Sequence, residues 1–528
     1  MPNPNASQSA KSSSRRWLSV ATAAVLFSII WLMPTPTGMP IEAQRLAAIT
    51  IFMAVFWLAQ PVSIAVTSLI PIAAYPLFGI LSAKDVSLPY ANHNVFLYLG
   101  GFAIALAIEQ CGLHKRIALH IISRVGSSPR RIVFGFMLAS ASLSMWISNT
   151  ATTMMMLPIA LALLSTLREA VLLSNHDGSS DAIDELTIPV LLGIAYASSI
   201  GGLSTFVGTP TNVSFLGFWD KTFVPLGFES LSMVEWMASF LPLSILMLIA
   251  TGAVMTTGIK PLPNAERLSK VFFRDQLRNL GPASGTEKRV FVIFTCTALL
   301  WMLRKPLKLE SVQILPDWPS FVIWVGAQFH ADLNFLRTMI QDSTVAIAMA
   351  SLLFLIPGEP DESGNRSPVL TWEIAEKSLP WGMILLIGSG FAMAAGFQST
   401  GLSDWLGKAF SEFFTGQPTI VLIFGVCVMV TFLTEFTTNV ATVNTLLPTL
   451  AAMAAQLEID PRLLLIPATV SASCAFMLPI ATPPNAIIFG SNLVPIKSMI
   501  RYGITLNIIG SILVTAITLL VARTVMDF

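Results

Sequence analysis

Charged side chains are scarce in this chain of 528 residues: only 11% are Asp, Glu, Lys or Arg, against about 25% in an average soluble domain. A soluble protein of this size could not cover its surface with so few. Together with a hydrophobic content of 54%, the deficit excludes a soluble enzyme and points to an integral membrane protein whose solvent is largely lipid. The net charge of +1 sets up no global field, so nothing draws nucleic acid or acidic partners. The four cysteines (Cys111, Cys296, Cys427, Cys474) sit in apolar stretches without paired spacing. They read as small buried hydrophobes and define neither a disulfide framework nor a metal site. A P-loop, an HExxH helix and a Cys/His cluster are all missing from the sequence. No resident cofactor is therefore expected, and the energy for any work must come from an ion or substrate gradient. His93, His114, His120, His176 and His330 are scattered in or near loops and read as solvated residues.

A spanning helix needs about 20 mostly apolar residues. Eleven runs are candidates: 17–33, 46–59, 62–80, 95–112, 187–218, 236–257, 290–303, 343–357, 381–397, 461–491 and 503–523. Two further stretches, 132–166 and 418–455, are too long for one span and carry polar residues at their centres, which reads as two re-entrant hairpins. Residues 1–16 are polar and Ser-rich and read as a disordered cytoplasmic tail. Trp17–Met33 resembles a signal peptide, but Pro34-Thr35-Pro36-Thr37 follows where a cleavage site would stand, so it reads as a retained first helix. Segment 114–131 carries five Lys/Arg and no acid, and 260–289 carries seven Lys/Arg against three acids. With the N-terminus inside and the hairpins not crossing, both basic loops fall in the cytoplasm, as the positive-inside rule requires. The C-terminus then lies outside.

The halves of the chain repeat. Gly101-Phe102-Ala103 through Gly112-Leu113 matches Gly390-Phe391-Ala392 through Gly401-Leu402 at an offset of 289. Ser148-Asn149-Thr150, with Leu157-Pro158, matches Thr438-Asn439-Val440, with Leu447-Pro448, at 290. Gly208-Thr209-Pro210-Thr211-Asn212 matches Ala481-Thr482-Pro483-Pro484-Asn485 at 273. In the topology above, the first hairpin opens inward and the second outward, so the halves are inverted, an arrangement found in secondary transporters. The expected fold is thus an all-α polytopic membrane protein of about eleven transmembrane helices and two re-entrant hairpins in two inverted repeats. Residues 17–257 form the first repeat (scaffold helices 17–112, hairpin 132–166, broken helix 187–218). Residues 258–289 form a basic cytoplasmic loop, and 290–528 the second repeat (hairpin 418–455, broken helix 461–491, last helix 503–523).

A lone Asn at membrane depth is often a helix cap or interhelical glue. Two of them at matching repeat positions read as hairpin tips, where half-helix N–H groups attract anions and freed carbonyls, hydroxyls and amide oxygens suit hard cations. In the third motif pair proline breaks the helix, and such backbone is tolerated only where it lines an enclosed cavity. Lys and Arg are absent from 132–167 and from 409–461, and 186–219 and 463–496 hold no charge at all. An anionic substrate would find no fixed positive charge there. A half-helix dipole contributes roughly 0.3–1 kcal/mol, up to about 2 when partly buried, little against desolvating a dianion. Bound cations would complete the neutralisation, which is a physical reason for cation coupling. Glu435 is the acid inside the second hairpin; it reads either as a carrier of a proton or organiser of the cation site, or as a structural acceptor at the break. Glu109 reads as an interfacial partner of His114-Lys115-Arg116.

The Asn-bearing motifs, the stretch LGGFAIALAIEQCGLHKRIAL (99–119) and SASCAFMLPIATPPNAIIFGS (471–491) resemble the divalent anion:sodium symporter family, solute carrier family 13, from about residue 17 to the end. The resemblance implies a homodimer working by an elevator mechanism, in which a transport domain carrying both hairpins slides against a scaffold. It implies substrate contacts from Ser148, Asn149, Thr150, Thr209, Thr438, Asn439, Thr482 and Pro483. It implies one sodium site at Ser144, Ser148, Asn149 and Gly208, and a second at Thr434, Thr437, Asn439 and Ala481. Val440 replaces the second Thr of a strict Ser-Asn-Thr and removes a hydroxyl, which bears on substrate choice. The expected function is sodium-coupled import of C4-dicarboxylates such as succinate, fumarate or malate, with sodium as coupling ion, across the plasma (inner) membrane. Sodium/sulfate symport and sodium-independent dicarboxylate exchange are the alternatives within this class. An ion channel fits the paired blind hairpins poorly, and a membrane-embedded enzyme lacks any nucleophile–base or metal set.

Overall fold

Proline and polar residues inside apolar runs decide where this chain's helices stop. The computed structural model describes residues 4–173, 179–259, 265–309, 312–315, 317–329, 332, 336, 340–360, 364, 366–414, 416–526 and 528. Residues 1–3 of the proposed tail, His176, His330 and parts of the 258–289 and 304–342 segments lie outside the described residues. Helix α1 (Pro4–Leu32) begins well before Trp17, so the polar residues from Pro4 onward continue the first helix instead of forming a disordered tail. Its end is closed by buried Gln44 of α2 (Ile41–Ala59), whose Nε2 donates to Ile30 O and Met33 O, both at 2.7 Å. Run 62–80 is not one helix but two short ones, α3 (Ile64–Thr67) and α4 (Ile70–Leu77). Pro71 lacks the N–H that a continuous helix would use, and Pro76 sits inside the second piece.

Then come α5 (Ala83–Ser87) and α6 (His93–Gln110), which stops at Gly112 with φ 76°, a left-handed turn suited to glycine. The basic segment read as a loop is largely helix α7 (Leu113–Val125). Here His114 is buried, with Nδ1 3.0 Å from Ile108 O, and burial lowers its pKa; it is not the solvated residue expected. Next are α8 (Pro129–Ser144), α9 (Asn149–Leu173), α10 (Ser179–Gly202), α11 (Pro210–Thr222) and α12 (Met233–Thr256). Helix α13 (Ala265–Asn279) occupies the second basic segment, followed by α14 (Gly285–Met302). The 304–342 segment holds a small hairpin, β1 (Leu307–Leu309) and β2 (Val312–Leu315), and α15 (Trp318–Gln328). Beyond it lie α16 (Asp342–Leu353), strands β3 (Pro357–Pro360) and β4 (Arg366–Pro368), α17 (Trp372–Ser378), α18 (Trp381–Thr400) and α19 (Leu402–Phe414). The chain ends through α20 (Thr419–Thr434), α21 (Asn439–Gln456), α22 (Arg462–Ala472), α23 (Pro483–Gly490) and α24 (Ile496–Ile517). Among the described residues seven helices are long and apolar enough to cross a membrane; Arg16–Leu32, α16, α20 and α22 are apolar but shorter. The protein is an all-α polytopic membrane protein.

The chain divides into two compact units. The first comprises Met1–Val95, Val213–Glu229 and Pro380–Ala472. Its core is a cluster that includes Leu46, Met53, Trp57, Tyr75, Leu386, Met393, Phe397, Val440 and Ala441. The second comprises Phe96–Asn212, Ser230–Leu379 and Ser473–Phe528. In it Arg116 does not pair with Glu109: its guanidinium lies 3.0 Å from both Glu287 carboxylate oxygens and also donates to Gly281 O at 2.9 Å. That ties α7 to the turn before α14. A buried ion pair, Arg304 with Asp342, joins the end of α14 to the start of α16, where Trp301 Nε1 also donates to Asp342 O at 3.0 Å. Hydrogen bonds from Ser284 and Thr286, at the N-terminus of α14, lower the pKa of Glu359 in β3. Cys427 and Cys474 are buried as expected, whereas Cys296 is exposed on α14.

Helix α8 packs along α10 at a distance set by Gly201. A Cβ there would lie 2.3 Å from Ala141 O and 2.6 Å from Ala141 Cα, both backbone atoms that cannot turn aside. At Gly425 in α20 nothing stands within 4 Å. Gly201→Leu should therefore lower the melting midpoint of the purified protein by about 5 °C or more, through overpacking. Gly425→Leu, measured alongside by the same thermal-shift assay, should leave it nearly unchanged.

Candidate functional site

The first break lies between α8 and α9. The apolar run meets Ser144, Ser148 and Asn149, and α8 ends as the N–H of Met145 bonds to Ala141 O at 3.1 Å and that of Trp146 to Leu143 O at 3.0 Å. Ser148 caps α9: its Oγ accepts the N–H of Ala151 at 3.2 Å. The N–H groups before Ala151 have no acceptor inside the helix and are those that an anion at a helix N-terminus uses. Trp146 holds the tip from one side, 5.3 Å from the Phe294 ring and 6.5 Å from that of Trp301.

The Asn149 carboxamide faces Ser144 Oγ at 2.6 Å, Ser198 O at 3.0 Å and Gly208 O at 3.3 Å. It can meet them in two ways. With Nδ2 inward it donates to all three. With Oδ1 inward, only Ser144 supplies a proton, and three carbonyl-type oxygens converge without a donor between them. Such a cluster is stable around a hard cation, which takes carbonyl, amide and hydroxyl oxygens. No charged side chain belongs to the set. Asn149 and Gly208 both depend on Gly202, where a Cβ would lie 2.7 Å from Asn149 Oδ1 and 3.0 Å from Gly208 O. A Cβ on Gly208 would lie 2.6 Å from Gly202 O and 2.9 Å from Gly202 Cα, so the loop from Leu203 returns directly onto the end of α10. Thr205 fixes this return: its Oγ1 donates to Met145 O at the tip and accepts the Gly208 N–H at 3.0 Å.

The second break, between α20 and α21, is in the first unit and repeats the first in outline. Thr434 Oγ1 lies 2.8 Å from Asn439 Oδ1, as Ser144 Oγ does at 2.6 Å from Asn149 Oδ1, and 2.9 Å from Ala472 O. Thr438 caps α21 through Ala441 N, the counterpart of Ser148 and Ala151. Thr437 hydroxyl bonds to that of Thr442 and to Leu433 O. Glu435, buried at the end of α20, has no acidic counterpart at the first tip, where Met145 stands. Val440 is buried in the hydrophobic cluster of this unit, whereas Thr150 is half-exposed. The valine therefore does more than remove a hydroxyl: it anchors the second tip in the core.

Of the other expected residues, Thr209 is buried, its hydroxyl 3.2 Å from that of Thr211, which lies 2.8 Å from Ser473 Oγ. Thr482 caps α23 through the N–H of Asn485, and Pro483 is exposed at its first position. The second unit thus brings together Ser144, Ser148, Asn149, Thr150 and Gly208, and also holds Thr209, Ala481, Thr482 and Pro483; the first holds Thr434, Thr437, Thr438 and Asn439. The sequence reading missed Ser198 and Ala472, which act through their carbonyls and so leave no mark in residue type. It also passed over Thr205, a hydroxyl between two motifs.

A family model described as the sodium:sulfate symporter transmembrane region matches residues 14–526. A sodium-dependent dicarboxylate transporter, SdcS of Staphylococcus saprophyticus, is 34% identical over 498 residues, 93% of this chain and 89% of that one. Its namesake in Staphylococcus aureus strain USA300 is 36% identical over 495 residues, covering 93% and 88%. Among solved structures, the Alcanivorax borkumensis YdaH transporter aligns at a TM-score of 0.46 and 15% identity, over 80% of this chain and 84% of that one.

Gly208→Ala should push the Gly208 carbonyl away from Asn149 while removing no side-chain ligand. A drop of about tenfold or more in apparent cation affinity, followed as the cation-dependent rise in melting midpoint, is the expected outcome. An unchanged titration would remove Gly208 from the site.

Proposed function

The chain belongs to the sodium:sulfate symporter family, and we propose that within it this protein is a sodium-coupled secondary symporter importing C4-dicarboxylates such as succinate, fumarate and malate. As a member it is a transporter, not an enzyme, and an integral multi-pass membrane protein. The names of the two staphylococcal relatives support sodium and a dicarboxylate as the transported pair. The observation that carries the reading is the uncharged oxygen cluster of Ser144, Asn149, Ser198 and Gly208 at a helix break.

In this reading the substrate carboxylates meet the α9 and α21 N-termini through Ser148, Asn149, Thr150, Thr438 and Asn439, bordered by Thr209, Thr482 and Pro483. One sodium ion is held by Ser144, Ser148, Asn149 and the Gly208 carbonyl, and a second by Thr434, Thr437, Asn439 and the Ala481 carbonyl. No lysine or arginine lies in 132–167 or 409–461, so the dianion's charge is balanced by the sodium ions and by helix dipoles. Each solute then lowers the cost of burying the other, which is coupling in the thermodynamic sense. The matched motifs at three repeat positions support two inverted halves, and family membership is what suggests a homodimer and an elevator-type movement of the domain that carries both hairpins. The basic segments 114–131 and 260–289 support a cytoplasmic N-terminus and an external C-terminus, and import of a dicarboxylate from outside would place the protein in the plasma membrane.

Radiolabelled succinate uptake into proteoliposomes tests this, with an inward sodium gradient and with potassium in its place. Uptake with sodium alone is expected. Sulfate uptake with no succinate uptake would move the substrate to sulfate, and uptake that needs internal substrate but no sodium would mean exchange. Asn149→Ala and Asn439→Ala should each abolish sodium-driven uptake while the protein still reaches the membrane. Wild-type uptake by both purified variants would sink the site assignment.

A further inference from the structure

Each of the two proline motifs ends in an asparagine, Asn212 and Asn485, to which the transport reading gives no part. Both are fully buried. Asn212, in the first turn of α11, donates from Nδ2 to three backbone carbonyls: Thr205 at 2.8 Å, Gly202 at 3.3 Å and Leu203 at 3.4 Å. Asn485, in the first turn of α23, donates to Leu478 O at 3.1 Å and Ala475 O at 3.2 Å. The acceptors are related by the same offset of 273 as the motifs: Gly202 with Ala475, Thr205 with Leu478. Their side chains differ, so what the two halves share is the backbone shape that one carboxamide gathers.

Carbonyls freed by a helix break repel one another when they converge, and at depth no water separates them. An NH2 group set among them reverses that repulsion and closes the turn. In the first half the closed turn returns Gly208 onto Gly202, with no room for a Cβ, and so delivers the Gly208 carbonyl to Asn149. It also sets a donor against the carbonyls of Gly202, Leu203 and Thr205, so a cation placed among them would have to displace the amide. We propose that Asn212 is a positioning residue for the first cation site, and that Asn485 does the same for the loop ending at Ala481. The proposal rests on the reading of the Gly208 and Ala481 carbonyls as cation ligands.

The test is the sodium titration of the purified full-length protein, read as the sodium-dependent rise in melting midpoint, which needs no substrate, and as the sodium dependence of uptake. Asn212→Ala should raise the sodium concentration for half-effect about tenfold or more, with the substrate KM at saturating sodium changed less than about twofold. Asn212→Asp, which keeps the shape but turns oxygen toward the three carbonyls, should do no better. A midpoint lowered without sodium, together with an unshifted titration, would mean a purely structural tie and overturn the proposal. Should Asn212→Ala not accumulate, Asn212→Ser and Asn485→Ala give the same readouts: a shift in either supports the proposal and none in both overturns it. Asn149→Ala is the control. If it loses the sodium-dependent rise while Asn212→Ala titrates normally, positioning alone fails. If both keep it, the cation-site reading itself is what fails.

Discussion

A helix broken inside a membrane releases backbone carbonyls that neither water nor a neighbouring turn can satisfy. At the breaks in this protein asparagine side chains meet those groups without adding charge. Four asparagines share the task. Asn212 and Asn485 turn amide N–H groups toward the loops that follow α10 and α22. Asn149 and Asn439 each face a hydroxyl five residues back across the break, Ser144 and Thr434. A carboxamide suits this work because it donates and accepts from one rigid plane and stays neutral at any pH. A carboxylate or an ammonium in the same place would satisfy half the groups and leave a net charge to be desolvated.

The oxygen cluster at the first break is made of neutral groups alone, whereas the second break carries a buried carboxylate, Glu435. A neutral cluster holds no ion by fixed charge, so under the proposed function a cation and a dianion bound together would each offset the other's desolvation. Glycine contributes by absence of atoms: the loop at Gly208 approaches Gly202 more closely than any side chain permits. The oxygen cluster thus joins two backbone carbonyls, Ser198 and Gly208, to the side-chain oxygens of Ser144 and Asn149.

Much of this was legible because polar residues are expensive within apolar runs and stand out there. The two Asn-centred breaks, the proline motifs and their spacing all appeared as such, and the structure puts α8/α9 and α20/α21 on either side of the expected tips. Residues acting through their main chain were invisible: Ser198 and Ala472 lend carbonyls that any residue carries. Short-range sequence context also misled. Arg116 is adjacent to a span containing Glu109 but pairs with Glu287, a partner far along the chain that no local pattern announces. The 62–80 run has the hydropathy of a span, yet its prolines divide it. His114 sits among charged neighbours and is nonetheless buried. At Val440 the loss of a hydroxyl was visible, but the packing that a branched apolar side chain gains there was not.

With Nδ2 turned inward the Asn149 amide donates to Ser144 Oγ, Ser198 O and Gly208 O, and none of the three is left facing a bare acceptor. A half-turn about one side-chain bond exchanges donor for acceptor at this point of the fold without moving any backbone.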